Sequence, residues 1–382
     1  MRPFARPFAR VLMLLAALGV IAGAVSGCGS SGNGDTTQSR AASGVADGDW
    51  GVVAVSQAGR AGAVDFLRCT VGGEPACSTF GGAMGAVGQL AMQDGGPLFA
   101  AAFTGDVLRC DPYQPTSCDA LGKVPGATAV AAEARAADDP TPSVYVGTTV
   151  GYEGANGDIW RCPQRDPNAT CTKVADPAPG DFVASMAIIS GSVYAGLSDG
   201  RVLRCTTGSA TSECTTFAEP GGGIKAISPF RDILGVATDA GTVYTCPTGG
   251  TGIAECTKVA SLPDATATAV QVYGETVYAG FALDTPDARG LSGAVLACDN
   301  GSPCTPVELP APVADPGEGD PSSAPVTSLV AVSDNTLWVG QGTITSRRSE
   351  GAISKCPEAR ACTTAWSDPG AGITAMTELP PQ

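Results

Sequence analysis

The spacing of the cysteines is the feature of this sequence that most constrains its fold. The chain has 15 cysteines, and fourteen of them form seven pairs whose members lie 6 to 10 positions apart. The pairs are Cys69/Cys77, Cys110/Cys118, Cys162/Cys171, Cys205/Cys214, Cys246/Cys256, Cys298/Cys304 and Cys356/Cys362. Similar sequence surrounds each pair, and successive pairs begin 41 to 58 residues apart. A period of this size indicates a repeat protein whose unit is one supersecondary element.

Each repeat contains four short segments with the composition of β-strands, which we label a to d. Strand c ends at the first cysteine, as in DVLRC at 106–110 and RVLRC at 201–205, and strand d is expected to begin at the second. Strand b carries an aromatic residue and a glycine, as in SVYVG at 143–147 and TLWVG at 336–340. Strand a is apolar. Turn-forming residues between β-branched and apolar runs are typical of hairpins.

The two ends of the chain predict a closed ring. The first repeat begins with strand b, around Trp50 to Val55, and the chain ends with a strand a at 372–376 that no b, c or d follows. A C-terminal strand that completes the first blade satisfies both ends and removes the exposed sheet edge. We therefore predict an all-β, seven-bladed β-propeller over residues 48–382. The architecture resembles WD40 and quinoprotein-like propellers but lacks their Gly-His and Trp-Asp dipeptides, so the resemblance selects no family.

The paired cysteines are predicted to join strands c and d of each blade as disulfides. Positions beside the c–d turn suit the short cross-strand distance that a disulfide needs. Closing so short a loop contributes about 2–3 kcal/mol per bridge, which would compensate for a core of small side chains, since aromatic residues make up only 5% of the chain. Zinc sites are disfavoured, because structural zinc usually takes four Cys or His ligands and this chain has no histidine.

The N-terminus predicts export and lipid anchoring. Three arginines precede an apolar run, Val11 to Val25, that is too short to span a membrane and matches a signal peptide over residues 1–27. The run ends in VSGC, which resembles the lipobox of bacterial lipoproteins, and the resemblance implies acylation of Cys28, the one unpaired cysteine. An ordinary cleaved signal with an incidental cysteine is the alternative. Residues 28–47 then form a flexible tether, and the propeller hangs from a bacterial membrane, at the outer membrane or cell surface.

Charge limits the classes of partner. Removing the signal peptide leaves 19 basic and 37 acidic residues, a net charge near −18. Such a chain repels nucleic acid phosphates and anionic lipid headgroups, so no nucleic-acid partner is expected. An envelope protein or a glycan is the expected partner of a monomeric chain, while acidity that serves solubility alone remains an alternative.

The sequence contains no marked catalytic constellation. Without histidine or free thiols, catalysis would depend on carboxylates, Tyr, Lys or Arg, with or without a cation. No catalytic residue and no cofactor are therefore predicted. The alternatives kept open are a carboxylate- or cation-dependent enzyme acting on glycans in the propeller funnel, and a Ca²⁺ ion held by Asp315, Glu318 and Asp320.

Long insertions single out one face of the predicted propeller. The b–c connections of blades 3, 6 and 7 are longer than those of the other blades, and the longest d–a connection, Pro306 to Pro325, lies on the same face. Loops on a rigid scaffold often carry function. We predict that this face binds the partner, or that the insertions are neutral. The candidate contacts are Tyr152, Glu153, Asp284, Asp287, Arg289, Arg347, Arg348 and Glu350.

Two recurring positions are predicted to be structural. Strand b places an aromatic residue at one point in five repeats, and we expect these rings to pack between blades: Phe99, Tyr145, Tyr194, Tyr278 and Trp338. Arginine precedes the first cysteine in four repeats, at Arg68, Arg109, Arg161 and Arg204. These side chains are expected to extend along the blade rims, and a basic rim that binds an anionic surface is the alternative.

Overall fold

The chain forms seven four-stranded antiparallel sheets arranged as the blades of a propeller. This computed structural model describes residues 51–58, 63–70, 76–93, 96–114, 118–133, 142–149, 157–164, 170–177, 180–206, 214–283, 292–299, 302–310, 324–332, 335–344, 349–368 and 370–380. All of these ranges fall within one compact unit, Gly44–Gln382. Within them, no helix is long and apolar enough to cross a membrane.

The first four blades follow the predicted repeat. From innermost to outermost strand, blade 1 contains β28 (Gly372–Leu379), β1 (Gly51–Gln57), β2 (Ala63–Thr70) and β3 (Cys77–Met84). Blade 2 contains β4 (Val87–Met92), β5 (Leu98–Ala102), β6 (Asp106–Cys110) and β7 (Cys118–Lys123). Blade 3 contains β8 (Ala127–Ala132), β9 (Ser143–Thr148), β10 (Ile159–Pro163) and β11 (Thr172–Ala175). Blade 4 contains β12 (Val183–Ile189), β13 (Ser192–Leu197), β14 (Val202–Thr206) and β15 (Cys214–Ala218).

The last three blades keep the same order, with one short strand. Blade 5 contains β16 (Ile224–Phe230), β17 (Ile233–Thr238), β18 (Thr242–Pro247) and β19 (Thr257–Ser261). Blade 6 contains β20 (Ala265–Tyr273), β21 (Thr276–Leu283), β22 (Ser292–Asp299) and β23 (Thr305–Pro306). Blade 7 contains β24 (Val326–Ala331), β25 (Thr336–Ile344), β26 (Ser349–Pro357) and β27 (Thr363–Asp368). Strand β23 has only two residues, although Val307 N still donates to Val295 O just beyond it.

The C-terminal strand closes the ring as predicted. Strand β28 pairs with β1 from Gly51↔Leu379 to Gln57↔Gly372, so residues from both ends of the chain form blade 1. The inner strands of successive blades contact one another around the whole ring, including β28 with both β24 and β4. The fold class expected from the repeats and the chain ends is therefore confirmed.

A β-bulge recurs in the inner strand of every blade. The register between strands a and b skips one strand-a residue each time: Gly88, Thr128, Ala184, Lys225, Thr268, Thr327 and Thr374. A bulge re-aims the extra side chain and increases local twist. Six of these seven residues line the channel at the centre of the ring.

The core lies between blades. Seven clusters of buried apolar residues each join the facing sides of two neighbouring blades. The strand-b aromatics are buried in these clusters, with Phe99 and Trp338 fully inaccessible and Tyr278 only 8% exposed. Their predicted packing role is confirmed.

The glycine that follows each aromatic allows blades to approach closely. A Cβ at Gly147 would lie 2.3 Å from Cγ1 of Val183, and one at Gly196 would lie 2.4 Å from Cγ2 of Ile224. In both cases the neighbouring atom belongs to strand a of the next blade. The aromatic–glycine pattern in strand b therefore reflects packing between blades: the ring fills the interface, and the missing side chain admits the next inner strand.

One disulfide joins strands c and d, or the residue beside strand d, in every blade. The seven bridges are those between the paired cysteines, with Cα–Cα distances of 4.0 to 4.3 Å. They also pack against the preceding blade: Sγ of Cys118 lies 3.6 Å from the Cβ position of Gly81, and Sγ of Cys171 lies 2.7 Å from that of Gly122. Seven disulfides indicate an oxidising compartment, extracellular or periplasmic.

Strand d begins at the second cysteine of the pair in blades 1, 2 and 4. The prediction that it does so in every blade was wrong for the other four. In blades 3, 5, 6 and 7 it begins one residue later, at a threonine, so these cysteines lie just before the strand: Cys171, Cys256, Cys304 and Cys362. In blades 5 and 7 the backbone before strand d bonds to the preceding blade. Ala254 N donates to Phe217 O at 2.6 Å, and Cys362 N donates to Glu308 O at 3.1 Å. Because this segment is hydrogen-bonded to the neighbouring blade, it begins to pair with strand c of its own blade only after the cysteine.

The bridges of blades 5 and 7 form despite this later start. Cys246 and Cys256 have a Cα–Cα distance of 4.3 Å, and Cys356 and Cys362 have one of 4.0 Å. The Sγ atoms of Cys256 and Cys362 also approach carbonyl oxygens two residues earlier, at 3.9 and 3.7 Å. Since a disulfide sulfur has no hydrogen to donate, these are packing contacts, and neither cysteine is a thiol donor.

Candidate functional site

The predicted partner-binding residues lie almost entirely outside the described ranges. This applies to Tyr152, Glu153, Asp284, Asp287, Arg289, Arg347 and Arg348. Glu350 lies in β26, where its backbone pairs with Thr343, and its side chain is not described. Cys28 and the acidic loop residues Asp315, Glu318 and Asp320 also lie outside. The predicted contact set, the lipidation site and the Ca²⁺ alternative therefore stay predictions.

The described part of the b–c face contains carboxylates that are paired within the chain. Asp106 and Asp158 stand at the start of the strand-c pentapeptide, and each meets a lysine from strand d of its own blade. Lys123 Nζ lies 3.6 Å from Asp106 Oδ1, and Lys173 Nζ lies 2.8 Å from Asp158 Oδ1. The hydrogen bond to the buried Asp158 raises the pKa of Lys173. These aspartates therefore stabilise the blade edge.

Blade 4 carries an arginine at the same place and a different charge cluster. The guanidinium of Arg201 contacts Asp199 through Nε and Asp181 Oδ2 through Nη2, the latter at 3.1 Å. Burial and the neighbouring Asp199 charge raise the pKa of Asp181. Burial also acts to raise the pKa of Asp199, but hydrogen bonds from Arg201 outweigh it and lower that pKa. The arrangement ties the b–c turn of blade 4 to the connection from blade 3.

The central channel is narrow and lined by small polar groups. Its volume is about 180 Å³, and strands a of six blades form its described wall. Among the described lining residues Lys225 is the one charged group, and it is exposed to the channel. Lys225 is the bulge residue of blade 5. In three other blades the bulge residue that lines the channel is a threonine.

Polar side chains around the channel bind the backbone of neighbouring blades. Thr128 Oγ1 donates to Val183 O at 2.8 Å, and Met376 N donates to Ser328 Oγ at 3.0 Å. Gln89 spans three blades: Val130 N and Met186 N donate to its Oε1, and its Nε2 donates to Met186 O at 2.9 Å. The channel wall is therefore part of the ring's stabilising network.

The rim arginines bridge blades where a neighbouring turn is within reach. Arg68 Nη1 donates to Pro112 O in the c–d turn of blade 2 at 3.4 Å. Arg204 Nη1 donates to Gly250 O in the c–d turn of blade 5 at 2.6 Å, and its guanidinium lies over the Phe217 ring.

The other two rim arginines do not bridge blades. Arg161 donates to Ser143 Oγ in its own blade, and Arg109 is exposed. The expected position along the rims is confirmed.

A groove of about 810 Å³ separates blades 6 and 7 on the face opposite the long b–c connections. Blade 6 contributes its a–b turn (273–276), the Tyr278 ring and the residues around its c–d turn, and blade 7 contributes its own c–d turn (358–361). Burial is the main reason that the pKa of Tyr278 is raised, with the Asp299 charge adding to it. The groove lies beside β23, next to the point where the outer part of blade 6 meets blade 7 through the hydrogen bond from Cys362 N to Glu308 O.

Charge in the groove is mainly negative. Glu275, Asp299, Glu308 and Glu358 line it, with Arg360 as its single described cation. Asp299 Oδ1 accepts a 2.6 Å hydrogen bond from Thr276 Oγ1. None of the four carboxylates forms an ion pair with another described residue. No group of three or more metal-binding side chains is assembled within the described ranges.

The groove and the channel network were missed at the sequence level, although part of the signal was present. AVLAC at 294–298 places Ala297 where four other repeats have arginine. The cysteines of blade 6 are six positions apart, a short spacing that blade 7 shares, so the missing cation and not the spacing is the signal. Nothing in the local sequence marks Gln89, because its partners lie 41 and 97 residues away.

Comparisons with known proteins identify the architecture. No protein-family model and no curated protein sequence matches the chain. Among solved structures, hydrazine synthase of Kuenenia stuttgartiensis is similar over 70% of this chain and 76% of its own, with 14% identity and a TM-score of 0.50.

Two further structures show weaker similarity. The computationally designed Ika8 protein is similar over 87% of this chain and 91% of its own, with 14% identity and a TM-score of 0.49. YCF48 bound to D1 peptide is similar over 73% and 82%, with 10% identity and a TM-score of 0.49. The similarity to hydrazine synthase indicates a shared fold and carries no activity over to this chain.

Proposed function

We propose that this chain is an exported, lipid-anchored binding protein of a bacterial cell envelope. It holds a protein or glycan partner on the propeller face that carries the long b–c and d–a connections. The anchor is an acylated Cys28 at the outer membrane or cell surface. Its support is the cysteine arrangement: the seven disulfides use fourteen cysteines and leave only Cys28.

The composition of the channel wall is the observation that favours binding over catalysis. A glycan hydrolase in the funnel needs two carboxyl groups facing one another across the substrate. The described channel lining contains hydroxyls, two amides and Lys225, and no carboxylate. Most of these polar groups hold the ring together, as Gln89 and Ser328 do. A rigid ring with a structural interior leaves its surfaces for function.

Cross-linked capture from native envelopes tests the proposal. The full chain is compared with a variant in which Arg347 and Arg348 are both replaced by glutamine. We expect the partner captured by the first to be lost with the second, because guanidinium groups favour carboxylate or phosphate groups. The matched control replaces Arg109 and Lys258, exposed cations near the c–d ends of their strands on the opposite side, with glutamine. Equal capture by all three chains would contradict the assignment of this face.

A Cys28→Ser chain in the same experiment separates anchoring from recognition. It is expected to leave the membrane fraction while the purified protein still captures the partner.

A further inference from the structure

The groove between blades 6 and 7 lies at a repeat position where five other blades carry a cationic side chain. The residue before the first cysteine of each pair lies directly across from strand b. It is arginine in four blades, Lys355 in blade 7 and Thr245 in blade 5, and in blade 6 it is Ala297, paired with Tyr278. Ala297 lines the groove.

Neighbouring blades show what a cation does at this position. In blade 4, Arg204 crosses to the next blade and donates to two carbonyl groups of its c–d turn, Gly250 O at 2.6 Å and Thr251 O at 3.4 Å. In blade 7, Lys355 Nζ lies 6.0 Å from the centre of the ring of Trp338, its cross-strand aromatic. A cation in this place is therefore held by an aromatic ring of its own blade or by the turn of the next.

The equivalent elements are present around Ala297, but the repeat position itself carries no charge, and the one described cation lining the groove, Arg360, belongs to the blade 7 turn. The Tyr278 ring lies on the blade 6 side, and the c–d turn of blade 7 lies opposite. Four carboxylates surround the gap, and within the described chain they have no ion-pair partner. By contrast, Asp106, Asp158 and Asp181 on the other face are all paired internally.

We propose that this groove is a docking site for an arginine side chain on a basic segment of a protein partner. The guanidinium takes the place that Arg204 holds in blade 4, beside Tyr278 and facing the blade 7 turn. Asp299 and Glu358 supply charge-assisted hydrogen bonds to its planar donors. The site lies on the opposite face from the long b–c connections and does not depend on the function proposed for them.

Calorimetric titration of the disulfide-intact full chain tests the proposal. The probe is a five-residue peptide of alternating glycine and arginine, at low ionic strength, with a twin peptide in which citrulline replaces arginine. Citrulline keeps the shape of arginine and removes its charge. We expect the arginine peptide to bind and the citrulline peptide to bind at least about tenfold more weakly, a difference of about 1.4 kcal/mol.

Two variants locate the site. Ala297→Arg restores the residue of the repeat, so the chain's own guanidinium should fill the groove and abolish peptide binding. Asp299→Asn combined with Glu358→Gln removes charge without changing shape, and we expect about tenfold weaker binding. The matched control is Glu255→Gln, an exposed carboxylate near the c–d turn of blade 5, which should bind the peptide as the unaltered chain does.

Three results would overturn the proposal. They are the absence of binding to the unaltered chain, equal binding of the citrulline peptide, and undiminished binding by the double charge variant. If Ala297→Arg fails to fold, the double charge variant alone decides.

Discussion

At the residue scale, single polar side chains in the channel wall hold several blades at once. Gln89 accepts hydrogen bonds from Val130 N and Met186 N and donates one to Met186 O. A side-chain amide has both acceptor and donor capacity, which is why one glutamine can satisfy both the N–H and the C=O of Met186, two blades away. Blades 2, 3 and 4 are thereby linked at the inner edge, where their strands a converge.

Replacing Gln89 with leucine is expected to destabilise the ring by about 2–4 kcal/mol. The substitution preserves volume but leaves backbone groups of two strands without partners. Thermal and urea unfolding measure the loss. Gln271→Leu is the matched control: Gln271 also lines the channel, but its one described bond goes to the adjacent residue, Val272 O. Equal losses in the two variants would show that the bonds between blades contribute nothing special.

At the element scale, the disulfides compensate for short outer strands to different extents. Strand β15 has five residues and four register pairs with β14, including Cys205↔Cys214. Strand β23 has two residues and two register pairs with β22. The Cys298–Cys304 bridge is therefore a main attachment of β23, whereas the Cys205–Cys214 bridge reinforces a ladder that already exists.

Removing the Cys298–Cys304 bridge should consequently cost more stability than removing the Cys205–Cys214 bridge. Paired Cys→Ala substitutions are expected to lower stability by about 2–4 kcal/mol in either blade, with the larger loss in blade 6. Melting temperatures of the two variants measure the difference, and non-reducing peptide mapping verifies that the other six bridges form. A larger loss in blade 4 would contradict this account of β23.

At the scale of the whole molecule, the ring depends on a strand that belongs to the other end of the chain. Strand β28 supplies the inner position of blade 1 and contacts the inner strands of blades 2 and 7. Without it, β1 would expose an unpaired edge and two interfaces between blades would lose their inner layer. Closure therefore couples the stability of all seven blades to the C-terminus.

A chain ending before Gly370 should lose its cooperative unfolding transition, or melt far below the full chain. The deletion removes β28 together with Ile373 and Met376, which pack in the cluster between blades 7 and 1. The control ends at Pro380, which keeps β28 intact and preserves the 2.7 Å hydrogen bond that Tyr113 donates to Pro380 O. An unchanged melting curve for the shorter chain would refute the closure argument.

The sequence by itself determined the number of blades, the strand order, the disulfide pairing and the closing strand. These features follow from local patterns that recur seven times, and comparing the repeats reveals them without any knowledge of long-range contacts. The aromatic–glycine pair in strand b was also interpretable, because its role is the same in each blade where it occurs.

Only the tertiary structure decided what the irregular positions do. Strand d starts after Cys256 and Cys362 in blades whose preceding segments bond to a neighbour. Gln89 and Lys225 line the channel at or beside the bulge of their strands a, and the groove lies where the uncharged Ala297 and the c–d turn of blade 7 meet. Such outcomes depend on residues that are distant in sequence meeting in space. The local sequence marks where a repeat is broken, and the packing of neighbouring blades decides whether the break becomes a site.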